Sequence, residues 1–170
     1  MKFQLDALPE TIGDMRILRI PPDISQAFPS RSLNMLGGTI NGQPLVAPLE
    51  PDGAGSHMLL LEDRWVGLEQ DKIHLDFDIT PDWPEPEIPT DVREALDETG
   101  LMDTWHDLTV KARWEWLRWI RSTKVDATRR KRIAVAMSKL SQGDRRPCCF
   151  NSASCTIPEL SKSGVLLQES

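Results

Sequence analysis

The segment TPDWPEPEIPT, residues 80–90, carries four prolines and divides the chain into two differently patterned parts. Proline fixes φ and has no N–H to donate, so this segment can neither extend a strand nor fill a helix interior. Before this segment, apolar and polar residues often alternate as in strands, and after it apolar residues recur with the spacing of helices. We therefore predict an α+β protein in which residues 1–82 form one domain, residues 83–90 a stiff Pro-rich linker and residues 91–150 a helical domain.

Short strands are predicted throughout the part before the linker. In KIHLDFDI, residues 72–79, apolar side chains alternate with polar and charged ones, which is typical of a half-buried strand. KFQLDAL and MRILRI, beginning at Lys2 and Met15, predict two more strands. Asn41-Gly42 lies between apolar segments and is typical of a hairpin turn, because both residues readily take positive φ. Five or six short strands with one or two helical turns predict a small β-barrel.

Helices are predicted after the linker. Thr90 or Asp91 can cap the helix DVREALDET, and Asp91 and Glu94 have the spacing of a capping box. LMDTWHDL predicts a short second helix, and Thr109 is the expected cap of VKARWEWLRWIRS. The last helix is expected to start near Asp126, its predicted N-cap, and to stop before Gly143. These segments predict a bundle of three or four helices.

The end of the chain has little pattern. Residues 151–170 are rich in serine and lack periodicity, so we predict a disordered tail.

The three cysteines lie together in CCFNSASC as Cys148, Cys149 and Cys155. Their odd number fits a reducing compartment, and zinc would need a fourth ligand with suitable spacing. We therefore expect inert thiols and no metal site.

The helix VKARWEWLRWIRS carries aromatic side chains on two sides. At 100° per residue, Ala112, Trp116, Trp119 and Ile120 form one apolar stripe, whereas Trp114 falls on nearly the opposite side. A helix with aromatic residues on two sides is usually packed on both. We therefore expect Trp114 to pack against the barrel or the linker, and the alternative is a platform on which a ligand stacks.

Charge is unevenly distributed along this chain, whose net charge is −6. Residues 1–90 hold 6 basic against 15 acidic side chains, residues 91–107 hold 1 against 6, and residues 108–147 hold 12 against 3. The basic block also contains tryptophans that could stack on bases, so nucleic-acid binding is an alternative function. The acidic charge of residues 1–90 opposes the approach of phosphates, and we favour attraction between the blocks inside the molecule.

Four consecutive basic residues, 129–132, stand near the start of the last helix in KVDATRRKRI. On a helical wheel Arg129 and Arg130 begin the buried face, whereas Lys131 and Arg132 lie toward the opposite face and remain available to a partner. A helix N-terminus already carries partial positive charge, so Arg129 is expected to form a structural ion pair. Its expected partner is one of five carboxylates of the acidic block: Glu94, Asp97, Glu98, Asp103 or Asp107.

Known catalytic and phosphate-binding motifs are absent from the sequence. DGAGS, residues 52–56, lacks the Walker lysine and the dinucleotide glycine pattern, and neither a GxSxG elbow nor a His-Glu-x-x-His helix occurs. We therefore predict a protein that is not an enzyme, with no catalytic residue, cofactor or metal. The remaining enzymatic hypothesis combines barrel carboxylates with His74 or His57, although His74 is expected on the solvated face of its strand.

Two parts of the sequence resemble a known pair of bacterial domains. GGTINGQPLVAPLEPDGAGSHMLLL, residues 37–61, resembles a small β-barrel domain of unknown function that precedes a YdeI/OmpD-associated domain. IPTDVREAL resembles the opening helix of that second domain, and residues 118–147 resemble its WI-x-x-x-K…TR-x-x-RI signature. The matching positions are Trp119, Ile120, Lys124, Thr128, Arg129, Arg132 and Ile133. The resemblance covers roughly residues 1–150, and Arg64-Trp65-Val66 stands where the family shows a more helical basic turn.

The resemblance implies protection against bacteriocins or antimicrobial peptides and an association with an outer-membrane porin, without a catalytic mechanism. We expect a non-enzymatic binding or stress-resistance protein that holds an unknown protein or small molecule between barrel and helices. The predicted contacts with an anion or partner are Lys124, Arg129, Lys131, Arg132 and Trp114. A cytoplasmic location is expected, because MKFQLDALPE lacks the apolar core of a signal peptide and no apolar run is long enough for a membrane span.

Overall fold

The computed structural model describes residues 1–62, 72–148 and 150–168, and the chain divides into two compact units. Unit 1 comprises Met1–Asp82, Ser152–Cys155 and Glu159–Ser170, and unit 2 comprises Trp83–Asn151 and Thr156–Pro158. The residues predicted as a linker, 83–90, therefore lie in unit 2. Arg64, Trp65, Val66 and Cys149 lie outside the described residues.

Unit 1 is built on an antiparallel sheet that curls into a half-barrel. Its seven strands among the described residues are β1 (Phe3–Ala7), β2 (Glu10–Ile12), β3 (Met15–Ile20), β4 (Asn34–Ile40), β5 (Gln43–Pro51), β6 (His57–Leu61) and β7 (Ile73–Ile79). Their spatial order is β1-β7-β4-β5-β6-β3-β2, and a one-turn helix, α1 (Pro22–Ser25), follows β3. The predicted α+β class, a small barrel-like sheet followed by helices, is confirmed.

Strand β7 lies inside the sheet, between β1 and β4. Ile73, Leu75 and Phe77 are buried and the alternate side chains are more exposed, as the sequence pattern predicts. Phe77 pairs with Gly38 of β4, where the two backbones come very close. A Cβ added to Gly38 would lie 2.1 Å from the Asp76 carbonyl oxygen and 2.6 Å from the Phe77 Cα. Glycine at this position therefore permits the β4–β7 pairing.

The predicted hairpin at Asn41-Gly42 is confirmed by the backbone. Asn41 has φ of 48° and Gly42 has φ of 81°, and the turn joins β4 to β5 with Ile40 paired to Gln43. Positive φ at both central residues gives a turn whose twist matches that of the two strands. The two residues therefore fix the register of this strand pair.

The end of the chain, which we expected to be disordered, contains a 3₁₀ turn (Pro158–Leu160) and a small hairpin of β8 (Ser161–Lys162) and β9 (Val165–Leu166). Leu160 and Leu166 are buried, and the Leu166 N–H donates to the Asp52 carbonyl at 2.8 Å. The difference has a physical reason, because the hairpin is held by residues more than a hundred positions away. Periodicity within the segment itself carries no information about such contacts.

Unit 2 is helical. Its described helices are α2 (Thr90–Thr99), α3 (Met102–Asp107), α4 (Val110–Arg121) and α5 (Asp126–Ser141). Trp105 and Trp116 are buried in their shared core with residues of all four helices. None of the helices in the described part of the chain is long and apolar enough to cross a membrane.

The helix ends agree with the sequence at some positions and differ at others. The Thr109 hydroxyl accepts from the Ala112 N–H at 3.1 Å, and Gly100 ends α2 with φ of 67°, so these two predictions are confirmed. The predicted caps, Thr90 or Asp91 for α2 and Asp126 for α5, are wrong. Helix α2 starts directly after Pro89, whose carbonyl accepts from the Arg93 N–H, and α5 starts directly after residue 125, without a side-chain cap.

Candidate functional site

Residues 83–89 lie along helix α4 and form one side of a cleft in unit 2. The Trp114 indole N–H donates to the Pro84 carbonyl at 2.8 Å. The rings of Trp83 and Trp114 meet edge to face, with centroids 6.4 Å apart, and the Lys111 ammonium lies 5.0 Å from the Trp83 ring centroid. Trp114 therefore packs against the Pro-rich segment, which was the favoured expectation for this side chain.

Arg113, the residue before Trp114 on α4, holds the same Pro-rich segment in place. Its guanidinium is buried and donates to both carboxylate oxygens of Glu85. It also donates to the carbonyls of Trp105, His106 and Leu108, at or just beyond the last turn of α3. Helix ends leave carbonyls without partners inside the helix, and a cation is well suited to satisfy them. One side chain thus joins α3, α4 and the Pro-rich segment.

The cleft lies between the Pro-rich segment and one face of α4. Trp114, Leu117, Arg118 and Arg121 line it at positions i, i+3, i+4 and i+7, which is the spacing of a single helix face. Pro86, Glu87 and Pro89 supply the opposite side, and the cleft has a volume of about 230 Å³. It is therefore a small, largely apolar space with two arginines among its lining residues.

The two arginines of the cleft are held in different ways. Arg118 is fully buried, and its guanidinium lies 5.6 Å from the Phe150 ring centroid. Arg121 is half-buried at the last turn of α4, and its Nε and Nη2 donate to the Thr156 hydroxyl at 3.2 and 2.9 Å. Both side chains are therefore held in place by contacts within unit 2.

The opposite face of α4 is packed into the helical core. Ala112, Trp116 and Ile120 are buried there, and the Trp116 indole N–H donates to the Arg145 carbonyl at 3.0 Å. This packing fixes the rotation of α4 about its axis. The cleft face of the helix is therefore presented in one orientation within unit 2.

Arg129 forms the predicted ion pair, but its partner was wrongly predicted. Its guanidinium donates to both carboxylate oxygens of Asp91, at 2.7 and 3.0 Å, and not to any of the five carboxylates named from the sequence. The pair brings together the first turns of α2 and α5. Asp91 is also bonded by the Val92 N–H at 2.9 Å. Sequence spacing cannot say which turn of one helix lies beside which turn of another.

Arg132 and Arg130 also differ from the helical-wheel prediction. The Arg132 guanidinium lies 5.6 Å from the Trp119 ring centroid and donates to the Trp119 carbonyl at 2.8 Å and to the Ser122 hydroxyl. Arg130 is exposed, because the buried face of α5 begins only at Ile133. Lys124 and Lys131 are exposed. Of the five predicted contact residues, only Trp114 lines the cleft of unit 2. Arg129 and Arg132 instead make contacts within unit 2, and Lys124 and Lys131 do not line the cleft.

The Asp91–Arg129 pair predicts a dependence of stability on pH. The hydrogen bonds from Arg129 hold the pKa of Asp91 below its usual range, and Asp91 raises the pKa of Arg129. A carboxylate with a depressed pKa stabilises the fold at neutral pH, and this contribution is lost as the pH falls below about 4. Because the Asp91 side chain is 46% exposed, we expect Asp91→Asn to lower the free energy of unfolding by under about 1 kcal/mol at pH 7.

Urea unfolding of parent and variant at pH 7 and pH 3 measures this difference, which should shrink at the lower pH. Glu94→Gln, an exposed position on the same helix, is the matched control and should change stability little at either pH. A difference between parent and Asp91→Asn that is equal at both pH values would contradict the assignment.

The two histidines of the enzymatic hypothesis lie in unit 1. His57 is buried, its Nε2–H donates to the Ser32 carbonyl at 2.8 Å, and its Nδ1 lies 2.6 Å from the Ser25 hydroxyl. Ser25 is itself fully buried, which favours a structural role for this pair. His74 is partly exposed, and its Nδ1 lies 2.8 Å from a carboxylate oxygen of Asp6.

The cysteines were expected to be inert. Cys148 is exposed and Cys155 is buried. Within residues 1–62, 72–148 and 150–168, no three His, Cys, Asp or Glu side chains converge on a point where they could hold a metal ion.

Arg118 and Arg121 are the site residues that sequence reasoning missed. A signal was present, because Trp114, Leu117, Arg118 and Arg121 repeat at helical spacing opposite the core stripe. Their mixed chemistry concealed it, since two apolar and two cationic residues do not form a recognisable hydrophobic face.

Comparison with known proteins identifies one part of the chain. Residues 85–143 match the family described as bacteriocin-protection, YdeI or OmpD-associated, which confirms the resemblance for the helical part of the sequence. No curated protein matches the chain.

Proposed function

We propose, from the premise that residues 85–143 match the bacteriocin-protection family, that this chain is a non-enzymatic binding protein that contributes to resistance against bacteriocins or antimicrobial peptides. One observation carries the proposal. Every residue that lines the cleft of unit 2, on the Pro-rich side and on α4, falls within the matched residues. The cleft and the family match therefore belong to the same segment of the chain.

The chemistry of the cleft supports binding without catalysis. Its wall combines apolar side chains with Arg118 and Arg121, and arginine does not exchange its proton near neutral pH. Among the described residues that line it, Glu87 is the one group able to act as a general base, and it is exposed. A small apolar cleft with a few charged groups is typical of a ligand site.

We propose that the protein is cytoplasmic. An exposed thiol at Cys148 and an odd number of cysteines fit a reducing compartment. The ligand is a small molecule or a segment of a protein partner that fits the cleft.

Nucleic-acid binding through α5 is the second candidate, and the structure gives it less support than the sequence did. Lys124, Arg130 and Lys131 are exposed and could meet phosphates. Arg129 and Arg132, however, are held by Asp91 and by Trp119 with Ser122. The remaining cations lie on a chain whose net charge is −6.

A survival assay tests the proposed function. A bacterial strain sensitive to a bacteriocin is made to produce the chain, the Trp114→Leu variant or the Arg130→Gln variant, and surviving cells are counted after exposure. We expect the parent chain and Arg130→Gln to raise survival, and Trp114→Leu to lose the effect while remaining folded by circular dichroism. Equal survival with and without the parent chain would show that the proposal is wrong.

A further inference from the structure

We propose that two copies of this chain associate through the exposed sides of helices α2 and α5, with α2 of each copy lying against α5 of the other. This inference goes beyond the proposed binding function, because the cleft is lined by other residues. It is drawn from the arrangement of the two helices and from the opposite charges that they expose.

Helices α2 and α5 lie side by side and run in the same direction. The Arg129 guanidinium in the first turn of α5 donates to Asp91 in the first turn of α2. Eight residues further along each helix, the Thr99 hydroxyl lies 3.6 Å from the Met137 sulfur. Equal advances along both helices mean that their axes are parallel and level. Their exposed sides therefore adjoin along the length of unit 2 that they share.

The two helices expose charges of opposite sign. Asp91, Glu94 and Glu98 stand at i, i+3 and i+7, so the exposed Glu94 and Glu98 lie on the same side of α2 as the residue that meets α5. Arg130 and Lys131 are exposed in the first turns of α5, within one turn of the level of Glu94. An acidic stripe therefore runs beside a basic one.

These charges are not paired inside the molecule. Across the described parts of both units, no ion pair or side-chain hydrogen bond involves Glu94, Glu98, Arg130 or Lys131. The two stripes lie beside each other on one surface and point outward rather than toward each other. A second molecule that approaches this surface can therefore meet both of them.

Small side chains surround the basic residues of α5. Ala127, Ala134 and Ser138 are exposed on the same face of the helix as Lys131, and Val135 adds an exposed apolar side chain. Helix axes pack about 8–10 Å apart, and small contact residues favour the shorter distance. A second helix can therefore come close enough for its carboxylates to reach the cations of α5.

Two-fold symmetry selects the arrangement of the copies. With the symmetry axis parallel to the helices, α2 of one copy faces α5 of the other, and every contact occurs twice. With the axis across the helices, α2 faces α2 and α5 faces α5, so like charges meet. Because like charges repel, the first arrangement is the one that this surface favours.

Nucleic acid suits the surface less well than a second copy. Phosphates that approach Arg130 and Lys131 also approach Glu94 and Glu98, which repel them. A second copy of the chain brings an acidic stripe to the basic one and a basic stripe to the acidic one. It is therefore the occupant that matches both halves of the surface.

The association is expected to be weak. Exposed ion pairs contribute little each, and the net charge of −6 repels the copies at long range. Arg93 on α2 and Asp126 on α5 are exposed charges of the unfavourable sign. We expect a dissociation constant of about 0.1 mM at low salt, weakened at least about fivefold when NaCl is raised from about 50 to 500 mM.

Two charge-reversed variants of the full chain test the pairing by sedimentation equilibrium. Arg130→Glu/Lys131→Glu makes both stripes acidic, and Glu94→Lys/Glu98→Lys makes both basic. Each variant alone should associate at least about tenfold more weakly than the parent chain. Their equimolar mixture should form a heterodimer at least as tightly as the parent, because opposite charges meet again at every contact. This gain cannot arise from a loss of folding.

Lys2→Glu/Lys72→Glu is the matched control, because it makes the same change of net charge at exposed positions of unit 1. It should associate within about twofold of the parent at about 150 mM NaCl, where charges are screened beyond about 8 Å. An equal loss of association in this control would overturn the inference, since general repulsion would then explain the effect.

A parent chain that stays monomeric at low salt and about 1 mM protein would also overturn the inference. The same holds for a mixture of the two charge-reversed variants that does not associate. If the monomeric parent instead binds a fluorescent single-stranded oligonucleotide and Arg130→Glu/Lys131→Glu does not, nucleic acid is the occupant of this surface and the inference is wrong.

Discussion

Arg113→Met is expected to destabilise unit 2 by about 3 kcal/mol and to release the Pro-rich segment from α4. The guanidinium donates to three carbonyls at the end of α3 and to Glu85, and methionine fills a similar volume without any donor. Each hydrogen bond from a charged donor contributes about 1.5–3 kcal/mol, and carbonyls left without partners in a buried place add a cost. Glu85 is 65% exposed, so the ion pair itself contributes the smaller part.

Tryptophan fluorescence during urea unfolding measures this effect, because five of the six tryptophans lie in unit 2. Arg93→Met on α2 is the matched control, since it makes the same change at an exposed position and should alter the midpoint little. An unchanged midpoint for Arg113→Met would contradict the role assigned to this side chain.

Gly38→Ala is expected to disrupt the pairing of β4 with β7 in unit 1, with a loss of about 3 kcal/mol of the free energy of unfolding. The added methyl group would meet the Asp76 carbonyl oxygen at 2.1 Å and the Phe77 Cα at 2.6 Å. Both contacts are with the backbone of β7, which is held on its other side by β1 and cannot move without breaking a ladder. Faster amide hydrogen exchange in β4 and β7 should accompany the loss of stability.

Gly37→Ala is the control for this prediction, because it adds the same methyl group one residue earlier. There the nearest atoms belong to the Thr80 side chain, at 3.3 Å, and a small shift of that side chain accommodates the methyl group. Gly37→Ala should therefore cost much less. Similar exchange rates and midpoints for the two variants would refute the close approach at Gly38.

The class of the fold was predictable because its evidence is local. Alternation in residues 72–79, positive φ at Asn41-Gly42 and the Thr109 cap are each decided within a few residues, and the structure agrees with all three. The hairpin at the end of the chain depends instead on a hydrogen bond between Leu166 and Asp52. No pattern within the segment records that contact, so composition alone suggested disorder.

The site was only partly predictable, for a related reason. Trp114 stood out because an aromatic residue opposite a core stripe needs a second surface to pack on. The Pro-rich segment was predicted as a connection, although Glu85 and the Pro84 carbonyl attach it to α4. Helical-wheel reasoning placed the cations of α5 on faces but could not show that Arg132 turns back onto Trp119. The run of basic residues 129–132 therefore suggested a binding surface, whereas Arg129 and Arg132 make contacts within unit 2.

The central claim is that the cleft beside α4 is the ligand site of this chain, and the indole N–H signals of the tryptophans test it most directly. In a ¹H–¹⁵N NMR titration with benzyl alcohol, a one-ring probe small enough for a cleft of about 230 Å³, the Trp114 signal should shift saturably, because this indole lines the cleft and donates to the Pro84 carbonyl. The signals of Trp105 and Trp116, buried in the helical core, should stay in place. A Trp114 signal that does not move while benzyl alcohol binds would contradict the claim.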